Sequence, residues 1–132
     1  MIFVDTSFWI AVAARRDARH DEARRLLQTH AREPLVTSTH VRGETWTFIR
    51  RRHGHQAAVA FLDGLDRTRR AEVLFVKEEL EVEALRWLRR HDEREYSFVD
   101  ATSFAVMRSL RISSALAFDG DFSAAGFEEL RV

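Results

Sequence analysis

Apolar residues along the chain alternate between short unbroken runs and longer stretches at helical spacing. Met1 to Val4 is such a run, too short for a helix and suited to a strand buried on both faces of a parallel sheet. It stops abruptly at Asp5. Ser7 is placed to cap a helix over Phe8 to Ala14, because its hydroxyl can accept from an orphan N–H. Arg15 to Arg19 is polar, with Asp17 available as a cap, and Ala23, Leu26, Leu27 and Ala31 then follow helical spacing. Pro34 ends that helix and opens a strand, Leu35 to Thr37. Ser38 or Thr39 can cap a third helix, with Val41, Thr45, Phe48 and Ile49 as its inner stripe.

Gly54 interrupts the pattern, and Ala58, Phe61, Leu62 and Leu65 restart it. Val73 to Val76 reads as another strand. A helix from about Glu78 to Arg90 follows, with Leu80, Ala84, Trp87 and Leu88 inward. The charged segment His91 to Tyr96 reads as a loop, and Ser97 caps a helix over Phe98 to Leu110. Ala115 to Phe118 is a fourth strand, Asp119-Gly120-Asp121 a turn, Phe122 to Ala125 a helical turn, and Glu128 to Val132 a possible edge strand. Strands alternating with single helices or helical pairs predict an α/β sandwich whose central sheet is mostly parallel and four- to five-stranded. No repeat, low-complexity tract or linker divides residues 1–132, so one domain is expected.

Composition narrows the class. Hydrophobic residues make up 45% and charged residues 32% of the 132, as in an ordinary folded protein and not a disordered one. No apolar run approaches the roughly 20 residues that span a bilayer, and no basic-then-apolar leader opens the chain, so neither membrane insertion nor export is expected. Zero cysteines exclude disulfides and thiolate metal sites and suit a reducing cytoplasm. A net charge of +0 announces no nucleic-acid binder in bulk. Lys77 is the only lysine, the other 20 bases being arginines, which suit bidentate phosphate contacts but also reflect codon usage in a GC-rich genome.

Four acidic residues have apolar neighbours. Asp5 and Asp119 each end a buried-looking strand, and ligand sites in open α/β sheets form outside the carboxyl ends of strands. If those strands are neighbours in a parallel sheet, the two carboxylates lie side by side. Glu44, three residues after Val41 and four before Phe48, falls on the inward face of its helix, and Asp100 shares a face with Phe104 and Met107. Clustered carboxylates are costly without a countercharge, and no Lys or Arg closely follows Asp5 or Asp119. A hard divalent cation, Mg²⁺ or Mn²⁺, is the natural partner. Plainer readings stand beside this one: Ser97 and Asp100 make a capping box, Asp119 and Asp121 flank Gly120 as turn residues, and Glu44 can lean into solvent.

Ile2-Phe3-Val4-Asp5-Thr6-Ser7, the Glu44 helix, Ser97-Phe98-Val99-Asp100-Ala101 and Ala117-Phe118-Asp119-Gly120-Asp121-Phe122 together resemble the PIN domain. More narrowly, they resemble the VapC-type toxins of toxin–antitoxin pairs, over essentially the whole chain. Each motif is weak alone, and the ordered set is specific. The resemblance implies a PIN-like α/β/α sandwich and a metal-dependent endoribonuclease that hydrolyses RNA phosphodiesters with metal-activated water. It also implies an acidic quartet at Asp5, Glu44, Asp100 and Asp119, with Mg²⁺ or Mn²⁺ bound there, and a polar companion at Thr6. Asp121 is an additional candidate metal ligand. An antitoxin partner occupying the active-site groove and a homodimer are implied as well.

Arg50, Arg51, Arg52, Arg15 and Arg16 are candidates for positioning the RNA strand, against a plainer role as solvated helix ends. Trp9 and Trp46 can stack on bases or belong to the core. The histidines, including His40, His53 and His55, show no metal-binding spacing and read as surface residues. Two rivals differ in class. A phosphoaspartyl phosphatase wants a second Asp where Ser7 stands and a late lysine, which is absent after Lys77. A catalytically inactive PIN-like interaction module would keep the fold, and the intact acidic positions argue against it.

Overall fold

The computed structural model describes residues 1–132. Its sheet is built outward from β1 (Ile2–Val4), whose residues are all buried, as a strand with helices over both faces must be. On one side lies β2 (Leu35–Ser38) and then β3 (Ala71–Leu74); on the other lies β4 (Ser114–Leu116) and then β5 (Glu128–Glu129). The order is β3-β2-β1-β4-β5 and every pairing is parallel. The expected four- to five-stranded, mostly parallel sheet is thus five-stranded and fully parallel.

Parallel neighbours need crossovers, and helices supply them. Between β1 and β2 come α1 (Thr6–Ala13) and α2 (His20–Thr29), and between β2 and β3 the pair α3 (Thr39–His53) and α4 (His55–Arg67). The long passage from β3 to β4 carries α5 (Glu78–Arg90) and α6 (Phe98–Leu110), while a single turn, α7 (Asp121–Ala124), joins β4 to β5. Apolar side chains from all these layers form one continuous core. Phe104 is its aromatic hub, edge-on to Trp87 at 5.2 Å and to Phe122 at 5.0 Å, and stacked on Phe127 at 5.5 Å between ring centroids.

Most expected elements are present, with shifts that have physical causes. Helix α1 starts at Thr6, because Asp5 and not Ser7 is its N-cap, accepting from the Ser7 N–H. Ser38 caps α3 by accepting from Val41 N, and Ser97 with Asp100 forms a complete capping box on α6. Strand β3 begins two residues earlier than its apolar run, since its ladder with β2 runs from Leu35↔Ala71 to Ser38↔Leu74. Phe75, 79% exposed, has already left the sheet. Strand β4 ends at Leu116 because the Phe118 N–H turns away to the Ser7 hydroxyl. Phe48 leaves the inner stripe of α3: Val41, Thr45 and Ile49 are buried in line, and Phe48 lies about 100° round the helix from Ile49, exposed.

Truncating the aromatic hub tests this packing. Phe104→Ala should destabilise the fold by about 3–5 kcal/mol, and Phe104→Leu by clearly less, read from urea unfolding midpoints. Equal effects of the two would show that the contacts of the ring itself, and not the volume it fills, carry its contribution.

Candidate active site at the carboxyl edge of the sheet

The register of β1 and β4 decides the site. Phe3 pairs with Ala115 and Val4 with Leu116, and the ladder continues one step as Asp5 N donates to Leu116 O at 3.0 Å. Both chains therefore leave the sheet at the same level, bringing Asp5 and Asp119 to one edge. Helix α6 starts at that edge and adds Asp100 from its first turn. One carboxylate oxygen from each of Asp5, Asp100 and Asp119 lies within 4.8 Å of the others.

Each carboxylate is fixed by a local backbone donor that engages one of its oxygens. Asp5 Oδ2 accepts from Ser7 N at 3.1 Å and from Ser7 Oγ at 2.8 Å. Asp100 Oδ2 accepts from Ser97 N at 3.0 Å, while Asp119 Oδ1 accepts from Asp121 N at 3.1 Å. Capping and site chemistry are therefore not alternatives: in an N-cap, a capping box and an Asx turn alike, the second oxygen of the carboxylate is left for something else. The Ser7 hydroxyl also accepts from Phe118 N at 2.9 Å, bolting the Asp5 segment to the Asp119 segment.

Charge in this cluster is poorly compensated. Burial pushes Asp5 up to about 8; the nearby Asp119 and Asp100 charges add to the rise, and the Ser7 hydrogen bonds oppose it. Asp100 is pushed up to about 7, again chiefly by burial, with the charges of Asp119 and Asp121 adding and the Ser97 N–H opposing. Asp119 reaches solvent, but partial desolvation and the charges of Asp121 and Glu129 still raise it, against the Asp121 N–H. The Thr6 hydroxyl, next in sequence to Asp5, is buried without a hydrogen-bond partner. Three clustered oxygen donors and an unpaired hydroxyl fit a hard divalent cation with its bound waters.

The other expected residues fall into distinct places. Glu44 is half-buried on α3 and lies outside the compact trio. Asp121 is engaged elsewhere, its Oδ1 accepting from Arg94 Nε at 3.0 Å and lying 2.9 Å from Nη2. Trp9 belongs to the core, donating to Thr37 Oγ1 at 3.3 Å. Arg15 and Arg16 do not flank the carboxylates: with Trp9, His53, Phe61 and Arg70 they line an apolar cleft of about 610 Å³. That cleft includes Leu35 and Ala71, the first residues of β2 and β3, so it lies at the amino edge of the sheet. Helix α3 runs back from the carboxyl edge, which carries Arg50, Arg51 and Arg52 to the same distant end.

Cations do approach the site, from positions remote in sequence. Arg94 comes from the loop before α6, and Arg19 and Arg131 lie over the Phe118 ring at 5.1 and 5.2 Å. Glu129, unmarked by any motif, is an almost fully buried carboxylate. It accepts from Gly120 N and Ser123 N and pairs with Arg131 at 2.9 Å, bracing the turn that carries Asp119. Nothing in the local pattern of the chain distinguishes these residues from surface charges.

The raised acids set the pH response of the metal-free protein. An unfolded chain ionises its aspartates near 3.8, whereas the folded one retains protons on Asp5 and Asp100 until about 8 and about 7. The native state therefore binds more protons across that window, and stability falls as pH rises. In EDTA, Tm should be higher at about pH 5 than at about pH 8, and millimolar Mg²⁺ or Mn²⁺ should recover the loss. Asp5→Asn should raise the metal-free Tm at the higher pH. A flat Tm across the window would mean that the carboxylates are already compensated.

The PIN domain family matches residues 2–128. The chain is 58% identical over 132 residues to the 23S rRNA-specific endonuclease VapC20 of Mycobacterium tuberculosis, in strains CDC 1551 and H37Rv, covering 99% of this chain and 98% of each relative. A crystal structure of M. tuberculosis VapC20, described as a sarcin–ricin loop cleaving toxin, superposes with a TM-score of 0.93 at 55% identity, covering all of both chains. The parallel sheet, the ordered acidic motifs and the carboxylate cluster at the sheet edge agree with these likenesses. The chain belongs to the PIN-domain family and, within it, to the VapC-type ribonuclease toxins.

Proposed function

We propose that this protein is an endoribonuclease that hydrolyses RNA phosphodiester bonds at the Asp5, Asp100 and Asp119 cluster, with Mg²⁺ or Mn²⁺ as its ion. The observation that carries this reading is the gathering of the three carboxylates within 4.8 Å. The likeness to VapC20 supports the sarcin–ricin loop of 23S rRNA as the substrate. The ion supplies Lewis-acid stabilisation of the phosphoryl group and a more acidic water. The chain's own residues do the rest.

Asp5, held by Ser7, and Asp100, held by Ser97, give two donors whose rotamers are fixed before any ligand arrives. Asp119, at the exposed side of the cluster, is the donor nearest solvent and the approaching strand. Glu44, set apart on α3, is the outer acid of the quartet and would act on the bound ion at one remove, through water. Asp121, its Oδ1 tied to Arg94, steadies the turn that carries Asp119, and its second oxygen leaves it an additional, outlying ligand candidate.

The same reading includes a cognate antitoxin partner, a cytoplasmic location where ribosomal RNA is met, and residues 1–132 as one PIN domain. A homodimer is supported by Phe75, Val82 and Leu85, exposed apolar side chains on and before α5. No helix is long and apolar enough to cross a membrane.

Asp5→Asn and Asp100→Asn should each lower cleavage of a sarcin–ricin hairpin by more than about 100-fold while the protein stays folded. Glu44→Gln, one step removed, should cost about 10–100-fold in rate. Calorimetric titration with Mg²⁺ and Mn²⁺ gives the independent readout: binding lost in the Asp5→Asn, Asp100→Asn double variant and kept in Glu44→Gln. Wild-type cleavage by Asp5→Asn would remove that residue from the reaction.

A further inference from the structure

The loop between α5 and α6 brings a base to the acidic edge, and its geometry assigns that base a task. Arg94 uses Nε and Nη2 on Asp121 Oδ1, at 3.0 and 2.9 Å, and Nη2 also approaches Asp119 O at 3.4 Å. Gly120 takes the left-handed conformation beside this contact, with φ of 83°, and a Cβ there would meet Nη2 at an ordinary contact distance of 3.5 Å. A guanidinium has five N–H donors, and these contacts leave the two of Nη1 uncommitted. The Arg94 side chain is 42% exposed. Its unused donors are therefore held beside the turn that carries Asp119, on a side chain that solvent reaches.

The loop around Arg94 is pinned on both sides. His91 stacks on Trp87 with ring centroids 4.0 Å apart and pairs with Glu93 at 2.9 Å. Tyr96 stands edge-on to Trp87 at 4.7 Å and to Phe104 at 5.8 Å. Arg94 thus starts from an anchored backbone and is oriented further by Asp121. A cation so fixed, beside carboxylates that hold no other base, suits a diester phosphate and not a neutral ligand.

We propose that Arg94 binds an RNA backbone phosphate at the mouth of the carboxylate cluster, with Asp121 as the strut that aims it. This rests on the ribonuclease reading of the same site. Phosphate binding would seat the strand where the cluster can reach a neighbouring linkage, and it would explain why Asp121 is spent on an arginine. Arg94 is in this view the phosphate contact that Arg50, Arg51, Arg52, Arg15 and Arg16 are placed too far away to make.

The test is binding of a phosphorothioate oligoribonucleotide by fluorescence anisotropy across a KCl series, with metal present. Arg94→Ala should weaken binding about 10- to 100-fold and lower the slope of log K against log salt by about one. Arg94→Lys should restore the slope and only part of the affinity. Asp121→Asn, which removes the strut but keeps the cation, should leave the slope as in the wild type. Arg94→Ala with unchanged affinity and slope would overturn the proposal. So would an Asp121→Asn protein as impaired as Arg94→Ala, which would reduce the pair to a brace for the turn. Cleavage of unmodified RNA, followed in parallel, separates the two failures: a wild type that binds through Arg94 but does not cleave would refute the ribonuclease reading, and one that cleaves while Arg94→Ala binds unchanged would refute this proposal alone.

Discussion

Three carboxylates drawn together and partly out of water are the constraint on which this molecule turns. Like charges at such range repel, and burial penalises each one again, so Asp5 and Asp100 hold their protons far above the usual carboxylate range. The fold does not relieve this with nearby lysines. It gives each acid one backbone N–H, from Ser7, Ser97 and Asp121, which fixes the side chain without neutralising it. What remains is a deficit of positive charge at a defined point, and a divalent cation offsets it. Stability is given up locally so that the ligand set is ready before its ligand arrives.

The rest of the architecture maintains that arrangement. A fully parallel sheet with β1 at its centre puts the ends of β1 and β4 side by side, and the Ser7 hydroxyl ties them across the gap. Glu129 braces the Asp119 turn from the last strand, so a two-residue edge strand has a role in the site well beyond its ladder. The aromatic cluster of Trp87, Tyr96, Phe104 and Phe122 holds the loop before α6 and the turn after β4 to one core. Movement of either segment would disturb the packing of both.

The two edges of the sheet are specialised differently. The carboxyl edge is acidic and carries the candidate chemistry. The amino edge carries the apolar cleft of about 610 Å³ with Arg15, Arg16 and Arg70 at its lining. Size of cavity and site of chemistry part company here, because a cluster of metal ligands needs converging oxygens and not a large enclosed volume. Arginines follow the same division: those at the amino edge come from neighbouring helix ends, while Arg94, Arg19 and Arg131 reach the region of Asp119 from three separate parts of the chain.

Much of this was legible in the residues themselves. An apolar run ending in Asp5, a second ending near Asp119 and a capping box at Ser97 and Asp100 are local patterns, and local patterns determine strands, caps and the acids that terminate them. The ordered set was enough to indicate the family. Register was not legible: β3 starts at Ala71 and not at Val73 because pairing with Leu35 to Ser38 outweighs the apolar run. Nor was the environment of Phe48, Glu44 or Trp9, since which side of a helix meets a neighbour depends on where that neighbour packs. Arg94 on Asp121 and Glu129 under the turn are contacts between segments remote in sequence or hidden by a weak edge strand. The sequence by itself determined which carboxylates exist and which strand or helix each one ends or begins. Only the tertiary structure decided which of them converge and which cation stands beside them, because charge interactions depend on distance in space and the chain's order does not encode it.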